Sequence, residues 1–68
     1  MFQLEEILAL FTNDCLIRLV DEEEQPLFTA SCPAIIPGKY RNMLVKSIQH
    51  GYGHVTIKLY TNTRSVMV

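Results

Sequence analysis

The apolar positions of this chain run first at a helical period and then at a strand period. Phe2, Leu4, Ile7, Leu8, Leu10 and Phe11 recur at helical spacing. Glu5 and Glu6 fall in the first turn, where negative charge complements the helix dipole. Asn13 and Asp14 are stop signals. The spacing predicts a helix over residues 3–11 that turns Leu4, Ile7, Leu8 and Phe11 to a core. Residues 15–20 and 27–32 are β-rich and flank the polar run Asp21-Glu22-Glu23-Glu24-Gln25-Pro26, which reads as a hairpin with a longer loop. Pairing Val20 with Leu27 sets Leu19 opposite Phe28, Ile17 opposite Ala30 and Cys15 opposite Cys32. Because side chains alternate, these six share one face. A bulge in the loop, if present, would shift that register by one.

Pro33 and Pro37 break any strand in the connector that follows, and Pro37 can open a helix at its first position. A single helical turn is expected over residues 38–43, with Ile35, Ile36, Tyr40, Met43 and Leu44 covering one end of the core. Residues 45–50 and 55–60 flank Gly51-Tyr52-Gly53-His54, a second hairpin signal. Val55, Ile57 and Leu59 alternate with Thr56, Lys58 and Tyr60, the pattern of a half-buried strand. With His50 and His54 flanking the turn, Leu44 pairs near Tyr60. The predicted architecture is α+β: one domain over residues 1–68, with an N-terminal helix packed on a small, largely antiparallel sheet of two β-hairpins.

Residues 61–68, Thr-Asn-Thr-Arg-Ser-Val-Met-Val, have no hairpin partner in this scheme. Two outcomes are open for them. The tail frays, as termini do, or it pairs with another strand of its own sheet or of a second chain and buries Val66 and Val68. A chain of this length buries only about 60% of its unfolded surface, so added apolar contact would matter.

The progression LEEILALF, CLIRLVDEEEQPLFTA, YRNMLVKSIQHGYGHVTIKLY resembles short uncharacterised α+β proteins of Gram-positive bacteria and their phages. Those pair an N-terminal helix with an apolar-Arg-apolar strand, an acidic turn and a closing Lys-Ser-Ile hairpin. The resemblance spans residues 3–60 and implies an α+β fold. It implies no activity, cofactor or binding residue.

Charge is unevenly placed. All seven acids lie in residues 1–24, where Arg18 is the only base, whereas residues 25–68 hold Lys39, Arg41, Lys46, Lys58 and Arg64 and no acid. The two halves are expected to neutralise one another within the fold or across an oligomer. No apolar run approaches the roughly 20 residues that span a bilayer, and the first residues lack the basic start of an export signal. A cytoplasmic location with no membrane partner is the expectation, and there Cys15 and Cys32 would be free thiols.

Chemistry is sparse. The cysteines lack the close spacing of a zinc site, and Gly51 and Gly53 argue against a helix that would align His50 with His54. Ser31, Ser47 and Ser65 have no elbow context, and Glu22, Glu23 and Glu24 read as a solvated loop. Gly51-Tyr52-Gly53 lacks the spacing of a phosphate loop. No enzyme activity, metal or cofactor is therefore expected. The expected function is a non-catalytic protein–protein interaction module that forms a homodimer and has an as yet unidentified protein partner. Its candidate surface is Lys39, Arg41, Lys46, Lys58, Tyr60, Val66 and Val68. The alternative is a nucleic-acid-binding accessory or regulatory protein of a phage or mobile element, in which the lysines interleave with Tyr40, Tyr52 and Tyr60. An overall pI near 6 weighs against it.

Overall fold

The computed structural model describes residues 2–11 and 15–61. The tail from residue 62 on, with the expected pairing of Val66 and Val68, lies outside the described residues. In chain order the elements are α1 (Leu4–Leu8), β1 (Leu16–Val20), β2 (Pro26–Ala30), a 3-10 turn (Pro33–Ile35), α2 (Gly38–Arg41), β3 (Val45–Gly51) and β4 (His54–Leu59). The four strands form one mixed sheet in the order β2-β1-β4-β3, and with the short helices they make an α+β domain. Both hairpins are antiparallel, but the pairing that joins them, β1 with β4, is parallel. Parallel neighbours need a long crossover, and residues 31–44 supply it by carrying the chain from one sheet edge to the other.

The first hairpin has the expected register, with Leu19 opposite Phe28 and Ile17 opposite Ala30. A bulge at Leu19/Val20 then sets Val20 opposite Pro26 in place of Leu27. The ladder ends at Ile17–Ala30, so the expected Cys15–Cys32 pair is not part of it. Both thiols are half-buried and free.

In the second hairpin Gly51, not His50, faces His54. The turn is therefore the two residues Tyr52-Gly53. Gly53 has φ 73°, and it alone of the two is positive, the pattern of a type II turn. Gly51 is a strand residue for a different reason: a Cβ there would collide with the imidazole of His54. A bulge between Val45 and Ser47 takes up the one-residue slip. Leu44 accordingly still meets Tyr60, whose N–H donates to the Leu44 carbonyl at 2.9 Å.

α1 is shorter than its apolar period. Beyond Leu8 the chain tightens into i→i−3 bonds, Leu10 N–H to Ile7 O and Phe11 N–H to Leu8 O. Its start is fixed twice. The Glu6 carboxylate accepts the Gln3 N–H at 2.9 Å, and Phe2–Leu4 lie along Met43–Val45, with Leu4 N–H donating to Met43 O and Val45 N–H to Phe2 O. Leu4 and Leu8 join Ile17, Leu19, Ala30, Ile36, Val55, Ile57 and Leu59 in a single buried core. Ile7, Phe11, Tyr40 and Met43 pack partly against it, whereas Ile35 is 52% exposed.

Candidate functional site

Arg18 interrupts an otherwise apolar strand, Leu16-Ile17-Arg18-Leu19-Val20. Alternation sends Ile17 and Leu19 into the core and Arg18 to the opposite, open face of the sheet. The ladders then fix its neighbours. Arg18 lies beside Thr29 of β2 and Thr56 of β4, and Thr56 lies beside Gln49 of β3. One polar row, Thr29, Arg18, Thr56, Gln49, thus crosses all four strands. In the adjacent row Val20 lies beside Lys58 and Lys58 beside Ser47. With neighbouring strands about 4.8 Å apart, the side chains of both rows can reach a common ligand group. Arg18, Val20, Ser47, Gln49, Thr56, Lys58 and Glu24 line a depression of about 220 Å³.

The acidic loop rims this depression, and it is more ordered than a solvated glutamate run. The Asp21 carboxylate accepts the N–H groups of Glu23 (2.8 Å) and Gln25 (2.9 Å). Asp21 and Gln25 also close the loop through their backbone, with Asp21 N–H donating to Gln25 O. Glu22 reaches the end of β4, where its carboxylate accepts both the Thr61 N–H (3.0 Å) and the Thr61 hydroxyl (2.7 Å). Glu24 forms an ion pair with Lys58 at 3.6 Å. Of the loop's four acids, Glu23 alone makes no side-chain hydrogen bond or ion pair among the described residues, and it is exposed.

Glu24 has φ 65°, the left-handed region. Three-residue hairpin loops place glycine or asparagine at such a position. A non-glycine residue there costs about 1–2 kcal/mol, and an ion pair this exposed returns about 0–1 kcal/mol. Glu24→Gly is therefore expected to raise the thermal midpoint by about 4–8 °C, the shift for a net gain of about 1 kcal/mol in a domain of this size. A lowered midpoint in a calorimetric scan would show the ion pair to outweigh the backbone strain.

The candidate surface residues that are described have separate surroundings. Arg41 turns inward, its Nε donating to Ile36 O at 3.0 Å and its NH2 to Pro33 O at 2.6 Å. Lys39 sits over the Tyr40 ring at 5.1 Å, and Lys46 over the Tyr60 ring at 5.8 Å. The Tyr40 hydroxyl donates to Leu27 O at 3.2 Å on the β2 edge. Lys58 is held by Glu24. Tyr52, at the tip of the second hairpin, is fully exposed. The imidazoles take different neighbours: His50 meets the Phe11 ring edge-on at 6.3 Å, and His54 Nδ1 lies 3.2 Å from Tyr52 O. Among the described residues no group of three or more His, Cys, Asp and Glu is placed to hold a metal ion. No helix among them is long and apolar enough to cross a membrane.

Arg18 is absent from the candidate surface that the sequence predicts. Its signal was a lone charge in an apolar strand, but its partners in the row come from three other strands. No protein-family model, curated protein or solved structure matches this chain.

Proposed function

We propose that this protein is a non-catalytic interaction module that works through protein–protein contact and pairs with a second copy of itself along β3. One observation carries the reading: β3 is a terminal strand of the sheet, and its residues from Lys46 to Gly51 are all exposed. Among the described residues, the backbone bond from outside the sheet that reaches β3 comes only at its first residue, Val45 N–H to Phe2 O. The rest of that edge offers a row of backbone donors and acceptors, and such edges template strand addition. The strand has no proline, and Ile48 on its core-facing side is 36% exposed.

A second β3 fits this edge by symmetry. Two copies running antiparallel about a two-fold axis through Ile48 set Ile48 opposite Ile48, Ser47 opposite Gln49 and Lys46 opposite His50. No like full charges then face one another, and the isologous arrangement closes on itself. The result is an eight-stranded sheet that covers both copies of Ile48.

Light scattering should give twice the chain mass at 100 μM (about the concentration of a routine sample, ample for Kd values in the micromolar range), and the thermal midpoint should rise with concentration. Ile48→Lys, which sets two ammonium groups face to face, should be a folded monomer. A chain ending at Asn62 keeps the Glu22–Thr61 contact and should still dimerise. Wild-type protein that stays monomeric with a concentration-independent midpoint rules the pairing out. Loss of the dimer only on truncation would assign it to the tail. Nucleic acid is the less favoured reading, because Lys58 is held by an acid and Arg41 faces the backbone.

A further inference from the structure

We propose that the depression on the open sheet face is a carboxylate-binding site, centred on Arg18, for an acidic peptide segment of a partner protein. Among the five described bases, Arg41 is committed to two carbonyls, Lys39 and Lys46 lie over tyrosine rings, and Lys58 is paired with Glu24. Arg18 alone of these has no hydrogen bond, ion pair or ring contact among the described residues. A guanidinium is a planar fork that matches a carboxylate in two parallel bonds. Thr56 and Thr29 flank it on the neighbouring strands, and Gln49 stands one strand further on. These side chains add uncharged donors on one flat surface, and the nearly buried Val20 forms an apolar floor beside Arg18.

Size and charge select the ligand. At about 220 Å³ the depression is smaller than the roughly 300–1,000 Å³ of small-molecule pockets. It suits one acidic side chain of a longer segment that lies across the strands. Its lining carries two cations, Arg18 and Lys58, and one carboxylate, Glu24. The single net positive charge matches a carboxylate better than a phosphate dianion. Glu24 occupies Lys58 and leaves Arg18 for the incoming group. The depression is lined entirely by residues of one chain, so a monomeric protein would retain it.

The test is an NMR titration of the full chain with a capped hexaglutamate, a capped hexaglutamine and inorganic phosphate. Hexaglutamate should give saturable shifts centred on the amides of Arg18, Thr29, Gln49 and Thr56, and the other two should not. Arg18→Gln should weaken that binding about 10-fold or more, the loss expected for a charge-assisted bond, and Arg18→Lys should fall between. Both replace an exposed side chain, and an unchanged spectrum away from the face checks their fold. Thr56→Val, which keeps the shape and removes a donor, should weaken binding about 3-fold or more, corresponding to a net hydrogen bond of ordinary strength. Glu24→Gln should admit phosphate. Equal shifts with hexaglutamine, hexaglutamate binding unaffected by Arg18→Gln, or phosphate preferred by the wild-type protein would each overturn the assignment.

Discussion

Ile57→Ala is expected to leave the protein largely unfolded at 25 °C, whereas Ile48→Ala should fold. The two isoleucines face one another across β3 and β4, so strand type and local twist are nearly the same. Burial is not: Ile57 is 0% exposed and Ile48 36%. Ile57 also sits on a central strand between Leu19 and Ile48, where removing its side chain opens a cavity that neither neighbour can fill without moving the backbone. Truncating a buried isoleucine to alanine costs about 2–5 kcal/mol. A core of this size supplies roughly 3–5 kcal/mol in total, so the loss is comparable to the whole stability. Ile48→Ala forfeits only part of its transfer term, about 1 kcal/mol, in the isolated chain. Urea melts followed by circular dichroism check the contrast. Equal midpoints for the two variants would mean that the core does not lie where the sheet places it. A dilution series adds a second reading: if β3 is the dimer edge, the penalty of Ile48→Ala grows with protein concentration.

The parts of this fold that were legible in the chain are those set by neighbours in sequence. The Leu19–Phe28 and Ile17–Ala30 pairs follow from period-two alternation on either side of one polar loop. Val55, Ile57 and Leu59 announce themselves the same way and are fully buried. The second hairpin differs from the expected one by a single residue, because only one of its two glycines lies in the turn. Only Gly53 needs positive φ; Gly51 is small to make room for His54. The compensating bulge near Lys46 has no local signature.

The parallel β1–β4 pairing was not legible, because it joins strands that are distant in sequence and depends on where the crossover lands. Its one trace is the near-continuous apolar run of β1, as central parallel strands require. For the same reason the site on the open face was hidden. Thr56 and Gln49 become neighbours of Arg18 only once β4 lies beside β1. The acidic loop is solvated at Glu23 and Glu24, as expected, but the contacts of Glu22 with Thr61 and of Glu24 with Lys58 have no local signal, since neither partner is near the loop in sequence.

Arg41 separates a structural cation from a binding one, and Arg41→Ala is expected to cost about 2–3 kcal/mol of stability while leaving acidic-peptide binding to the folded fraction unchanged. Pro33 and Pro37 have no N–H and keep the connector out of any ladder, so its carbonyls need donors from elsewhere. The Arg41 guanidinium supplies them, bonding Pro33 O and Ile36 O together from α2. Ile36, 3% exposed, is the residue by which the connector enters the core. Hydrogen bonds from a charged donor contribute about 1.5–3 kcal/mol, and here the two are made by one side chain and are not additive. Removing it leaves two part-buried carbonyls to water and loosens Ile36. Arg41→Lys should recover less than half of the loss, because an ammonium on a flexible stem cannot hold both carbonyls in the fork geometry. Urea midpoints of the wild type, Arg41→Ala and Arg41→Lys test this, alongside the hexaglutamate titration. A stable Arg41→Ala variant that no longer binds the peptide would move the binding site from the sheet face to α2.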